Sequence, residues 1–95
     1  MELFIFARFH VREGREAAAE KVLAEQVAAA RGEPGCLSIG AYRSTREQRL
    51  FFIHSRWKNE AAFDAHAELA RTDRFVETMS GMIDHPFEAT RALAL

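Results

Sequence analysis

The chain contains a single cysteine, Cys36, in ninety-five residues. One thiol can build neither an internal disulfide nor a cysteine-based metal cluster. Prolines number two and glycines five, and they punctuate regular segments without forming a repeat, a linker or a low-complexity tract. Charge of one sign is also missing: thirteen basic against fourteen acidic residues give a net charge of −1. A nucleic-acid surface needs a basic excess to displace counterions, so the balance argues against that class of partner. No apolar run approaches a membrane span. The opening M-E-L-F-I-F-A-R has an acid where a signal peptide carries Lys or Arg, and its apolar run is too short for an h-region. A cytoplasmic location is the expectation. There is no G-x-G-x-x-G and no P-loop, and no cofactor or metal is expected.

What is present is an ordinary globular composition, 48% hydrophobic and 28% charged, which fits one domain spanning residues 1–95. A chain this short buries only about 60–65% of its unfolded surface, so a second copy is a natural source of further burial.

The hydrophobic pattern gives the elements. Residues 2–12 alternate, with Leu3, Ile5, Ala7, Phe9 and Val11 on one face and Phe4, Phe6, Arg8, His10 and Arg12 on the other. Period two predicts a strand. Residues 15–31 are dense in strong helix formers, and Ala19, Val22, Leu23, Gln26, Val27 and Ala30 recur at helical spacing. Gly32 suits a C-terminal cap, and Pro34-Gly35 a turn. Cys36–Arg43 reads as a second strand, S-T-R-E-Q as the connection, and Arg49–Trp57 as a third strand. Leu50, Phe51, Phe52 and Ile53 make both faces of that strand apolar, as in one covered on both sides. Asn59 is placed to cap a helix through Leu69, with Ala62, Phe63, His66 and Leu69 or Ala70 inward. Thr72 or Asp73 would cap a further helical piece carrying Phe75, Val76, Met79, Met82 and Ile83. D-H-P ends it, and Phe87–Leu95 reads as the last strand.

The order βαββαβ predicts an α+β fold with a ferredoxin-like antiparallel sheet, strand order 4-1-3-2, and the helices on one face. Phe4, Phe6, Leu50 and Phe52 would then lie on the uncovered face. An exposed apolar patch of that kind marks an interface, and the simplest cover is the same face of a second copy. A homodimer through Phe4, Phe6 and Phe52 is expected.

From about residue 3 to 93 the chain resembles the antibiotic biosynthesis monooxygenase (ABM) family. The resemblance rests on Arg12-Glu13-Gly14 after the first strand, E-P-G-C-L-S from Glu33 to Ser38, and Tyr42-Arg43. It continues in the aromatic strand ending in Trp57-Lys58, E-A-A-F-D-A-H from Glu60 to His66, and Arg74-Phe75. It implies a dimeric α+β barrel, formed sheet against sheet. It also implies an activity within a group that includes cofactor-independent oxygenases of phenols and quinols, haem-degrading enzymes and processors of a quorum-sensing signal. The chain departs from the family pattern at Ser55, where Glu is frequent, and at Asp73, where a second His commonly falls. The haem-degrading branch carries an Asn on its first strand and an axial His in the later helix; the matching positions here are Ala7 and Met79.

His66 and Trp57 are the catalytic candidates. An imidazole titrates near neutrality and can take a phenolic proton; the alternative is a core His bonded to a backbone carbonyl. An indole N–H can hold a substrate oxygen while the ring stacks on a planar substrate; the alternative is a packing Trp at a strand end. Phe9, Phe63, Phe75 and Met79 would line the same space as substrate-binding residues, each also able to serve as plain core. Tyr42 could supply a hydroxyl, its face undetermined. His10 and His54 share the parity of the uncovered face with Arg8 and Arg56, and are expected in a polar centre of the interface. His85 is expected in solvent, and nothing marks Cys36 as a nucleophile.

The leading expectation is a cofactor-independent monooxygenase acting with O₂ on a small hydroxylated aromatic or quinol. The alternative is a non-oxygenase isomerase or ligand-binding dimer of the same fold. A third reading, an RNA-recognition module, shares the element order and the aromatic face. R-L-F-F-I-H-S-R-W lacks the basic-Gly-aromatic pattern of such a module.

Overall fold

A computed structural model describes residues 1–95. The elements are β1 (Leu3–His10), α1 (Glu16–Ala30), β2 (Cys36–Arg43), β3 (Leu50–Trp57), α2 (Glu60–Ala67), α3 (Ala70–Ser80) and β4 (Glu88–Ala92). The four strands form one antiparallel sheet in the order β2-β3-β1-β4. This is the ferredoxin-like α+β arrangement, with the expected strand order.

The alternation in β1 sorts its side chains as anticipated. Leu3, Ile5, Ala7, Phe9 and Val11 are buried, together with Phe51, Ile53, Ser55 and Trp57 of β3. Cross-strand register sets Ile5 opposite Ser55, Ala7 opposite Ile53 and Phe9 opposite Phe51. Leu23 and Val27 of α1 and Met79 of α3 close one core over this face. Ala62 and Phe63 of α2 pack on a smaller cluster of Leu3, Ile5 and Trp57. The opposite face carries no helix. Phe6 is 53% exposed there and Tyr42 56%, and Phe4 and Phe52 are half-buried.

Several local expectations shift. Gly32 does not take a left-handed conformation; the positive-φ glycines are Gly14 and Gly35. Glu33 N–H reaches back to the Ala30 carbonyl at 3.0 Å, so the end of α1 tightens and the chain reverses at Gly35, three residues after Gly32. Asn59 caps α2 as expected, its Oδ1 accepting from Ala62 N–H at 2.9 Å. That helix stops at Ala67, however, and Leu69 is the extended residue that opens α3. Leu69 is therefore exposed and not part of the buried stripe. Thr72 and Asp73 lie inside α3 and cap nothing. Met82 and Ile83 are buried just beyond the end of α3, where Val11 bridges Ile83. β4 is shorter than expected, and Leu93 and Leu95 lie in the open.

Candidate functional site

Between the helices and the covered sheet face lies a cavity of about 220 Å³, mostly apolar. Ile5, Phe9, Phe63, Phe75, Val76 and Phe87 supply most of its wall. Phe9 stacks on Phe87 at 5.1 Å between ring centres and meets Phe75 edge-on at 6.0 Å. Four polar side chains interrupt this lining: Gln26, Ser55, His66 and Thr72. All four are at least nine-tenths buried.

His66 is held from outside the cavity. Its Nδ1 lies 2.7 Å from Glu33 Oε1. The other carboxylate oxygen of Glu33 accepts from the guanidinium of Arg71. Glu33 is itself buried to the same degree as His66, with 9% of either side chain exposed, so both charges of the carboxylate–guanidinium pair are used locally. A carboxylate facing Nδ1 keeps the proton on that nitrogen and leaves the lone pair on Nε2. Nε2 has no hydrogen-bond partner within the chain. The reading of His66 as a core residue tied to a backbone carbonyl is thereby replaced: it is carboxylate-bound and cavity-lining.

Trp57 requires a correction. Its ring is fully buried, 4.8 Å from that of His66, and it does not line the cavity. The indole N–H donates to Ser55 Oγ at 2.9 Å, so it is not free for a substrate oxygen. Ser55 does line the cavity, and with a lone pair engaged by Trp57 its own O–H is available to donate inward. Thr72 Oγ1 is buried and finds no partner within the chain. An unpaired buried hydroxyl costs about 1–3 kcal/mol, a cost that a polar ligand would relieve.

Of the four residues expected to line the space, Phe9, Phe63 and Phe75 do so. Met79 does not; it is sealed in the core with Val11, Leu23 and Ile83, because the end of α3 turns its buried face toward that end of the sheet. With Met79 out of reach, and a cavity below the roughly 300–1,000 Å³ of drug-sized ligand sites, the residues do not fit a haem. Tyr42 pairs with Phe52 in the sheet, which puts its hydroxyl on the uncovered face.

His10 and His54 separate. His54 keeps to the uncovered face, stacking on Phe6 at 4.7 Å and bonding Ile5 O through Nδ1 at 3.2 Å. His10 instead turns to Asp84, with Nδ1–Oδ2 at 2.5 Å. His85, half-exposed, lies on the other oxygen of the same carboxylate at 2.5 Å. The hydrogen bond from His10, followed by that from His85, holds the Asp84 carboxyl below its usual range. The thiol of Cys36 is pushed up by partial burial and then by the charge of Glu33.

Sequence reasoning missed Glu33, Arg71, Ser55 and Thr72 as site residues. Glu33 belonged to a turn motif, and only a tertiary contact 33 residues long brings it to His66.

No helix is long and apolar enough to cross a membrane. Among curated proteins none matches the chain. Among solved structures, Rv0793 from Mycobacterium tuberculosis superposes with a TM-score of 0.93 at 21% identity, over 100% of this chain and 96% of that one. A conserved protein from Methanosarcina mazei gives 0.94 at 16% identity, over 100% and 94%. A structure described as antibiotic biosynthesis monooxygenase gives 0.91 at 19%, over 98% of both chains. At these identities the likeness speaks for the fold alone. The sequence itself goes further: the family described as Antibiotic biosynthesis monooxygenase matches residues 3–78, and the chain belongs to that family.

Proposed function

We propose that the protein is a cofactor-independent monooxygenase that oxidises a small hydroxylated aromatic, such as a quinol, with O₂. The observation that carries this reading is the His66–Glu33 pair at the wall of a partly open, mostly apolar cavity. Family membership supports the reaction class.

The size of the cavity narrows the substrate. An apolar cavity of about 150 Å³ accepts benzene, so 220 Å³ suits one substituted ring or a compact two-ring system. Phe9, Phe63, Phe75 and Phe87 offer faces and edges to such a ring.

In the proposed reaction His66 Nε2 takes the phenolic proton, while Glu33 holds the ring in the required tautomer and stabilises the imidazolium. The phenolate, dried by the surrounding aromatics, passes one electron to O₂. The two radicals recombine at a ring carbon to form a C–O bond. The hydroperoxide then loses water: its O–O bond breaks, the carbon-bound oxygen becomes a carbonyl, and the other oxygen leaves as H₂O with the proton from His66 and the ring hydrogen. One oxygen atom enters the quinone and the other ends in water, so atoms and electrons balance. Ser55 and Thr72 donate to the oxyanion as charge develops on it. Trp57 acts on Ser55 and not on substrate, as a positioning residue.

We place this site in a homodimer whose sheets face each other through Phe4, Phe6 and Phe52, acting in the cytoplasm as one domain. The exposure of Phe6 on a face without helices supports the pairing.

Oxygen uptake with a panel of mono- and dihydroxylated benzenes and naphthalenes tests the function. The expected result is uptake with at least one quinol, one ¹⁸O from ¹⁸O₂ in the product, and loss of uptake in His66→Ala. Tight binding of these compounds without oxygen consumption would move the assignment to a ligand-binding dimer.

A further inference from the structure

His10, Asp84 and His85 lie outside the cavity and take no part in the chemistry above. Their potential ligand atoms all fall within 4.8 Å of one another. The nearest pairs, each imidazole nitrogen to its carboxylate oxygen, are 2.5 Å apart. Donor atoms around one tetrahedral ion with bonds of about 2.0–2.1 Å sit roughly 3.3 Å from each other. The present spacings bracket that value, so small side-chain rotations would admit an ion.

The arrangement is built by the fold and not by local sequence. Seventy-four residues separate His10 from Asp84. The backbone fixes the two segments against each other through three contacts: Val11 bridges Ile83, Arg12 N–H donates to Met82 O at 2.8 Å, and Asp84 N–H donates to His10 O at 3.1 Å. The two imidazole rings stack at 5.9 Å with 23° between their planes, one on each oxygen of a single carboxylate. The side chains remain reachable, with exposures of 20%, 33% and 51% for His10, Asp84 and His85.

We propose that His10, Asp84 and His85 bind one divalent transition-metal ion. Two imidazoles and one carboxylate favour the zinc, nickel, copper and cobalt class over magnesium or calcium, which want oxygen donors. Three protein ligands leave at least one coordination position open. Asp84 and His85 line a groove bordered by Arg12, Ser80 and Pro86, through which water or an anion can reach the ion beside the Arg12 charge. The site joins the end of β1 to the loop that leads into β4. His10 directly follows Phe9, and His85 stands two residues before Phe87. These are the two stacked rings of the cavity wall, so the bound ion would fasten one rim of the cavity.

Calorimetric titration of the chelator-treated full chain with Zn²⁺ tests the site. The expected result is one ion per chain with Kd below about 10 µM. His85→Ala, an exposed position where the fold has little at stake, should weaken binding at least tenfold, as should Asp84→Asn. His54→Ala should leave it unchanged. Zn²⁺ should raise the melting temperature of the wild type and not of His85→Ala. Co²⁺ should give d–d absorption bands that depend on the same residues. No saturable binding, or binding that survives in the His10→Ala/His85→Ala double variant, would overturn the proposal.

Discussion

The Nδ1 of His66 lies 2.7 Å from Glu33 Oε1, and this contact decides what the histidine can do. A carboxylate can only accept from Nδ1–H, which leaves Nε2 basic. A glutamine at the same place can present its NH₂ to Nδ1 and so favour the opposite tautomer. Glu33→Gln should therefore lower turnover of a quinol by about 10²–10⁴, as much as His66→Ala, because either change removes a correctly placed base. Its KM should move little. Arg71 keeps the amide oxygen as acceptor, loses only the charge, and is 41% exposed, so the stability cost should stay within about 1 kcal/mol. Steady-state oxygen uptake and urea denaturation, run on both variants, check this.

Trp57→Phe separates packing from chemistry. The substitution removes the donor to Ser55 and shrinks a fully buried ring. A lost hydrogen bond and a residual void each cost about 1 kcal/mol or more, so the variant should lose about 1–4 kcal/mol of stability. Its turnover should fall less than that of His66→Ala, since Ser55 remains in the cavity with a freely rotating hydroxyl. Denaturant midpoints read beside kcat distinguish the two effects.

The sequence carried the fold because its signals were periodic. The alternation of Leu3 through Val11 and the helical spacing of Ala19 through Ala30 each state a face, and the structure buries those faces. The site was legible only where a residue sat on such a face: Phe9, Phe63, Phe75 and His66. Glu33 was not, since a buried carboxylate after a helix looks like any polar turn residue until Arg71 and His66 meet it. The divergence of His10 from His54 was equally hidden. Parity places both on one face of the sheet, but the ring of His10 at the strand end is free to turn toward Asp84. The boundary between α2 and α3 was misplaced because Thr72 and Asp73 resemble caps, whereas Leu69 makes the break with an extended backbone and no side-chain signal.

Gly35 should tolerate no side chain. Its φ is +82°, and a Cβ there would stand 2.5 Å from the Cβ of Ala62. The left-handed backbone costs about 1–2 kcal/mol for an L-residue, and the overlap with α2 adds about 1–3 kcal/mol. Gly35→Ala should thus destabilise the chain by about 2–5 kcal/mol in urea titration. The turn it closes presents Glu33 to His66, so activity lost at temperatures where the variant stays folded would show that the turn geometry also sets the dyad.

Cys36 reports on Glu33 without any substrate. Burial, and then the Glu33 charge, raise its pKa above the ordinary thiol value. The thiolate is the reactive form, so alkylation by iodoacetamide at neutral pH should be slower than for a free thiol and should quicken as pH rises past about 8.5. Glu33→Gln removes the second of the two causes. Alkylation in that variant should be faster than in the wild type at the same pH. Equal rates would mean that the Glu33 side chain does not act on the thiol, against the placement that also brings it to His66.

The uncovered sheet face gives the last prediction. Phe6 is 53% exposed, stacked on His54, while Phe52 lies diagonally from it across β1 and β3. Aromatic rings left on a helix-free face lose about 25 cal/mol for every Å² that water can reach, and a second copy offers a matching surface of the same rings. The wild type should sediment as a dimer at micromolar concentration. Phe52→Glu sets a carboxylate against its symmetry mate in the interface, where burial of an unpaired charge is unfavourable, and should sediment as a monomer. Circular dichroism of that monomer should retain the helix and strand signal, because the core of Phe9, Leu23 and Met79 lies wholly on the other side of the sheet. A wild-type monomer at these concentrations would refute the pairing. The His66–Glu33 contact would survive that result, since both residues come from one chain.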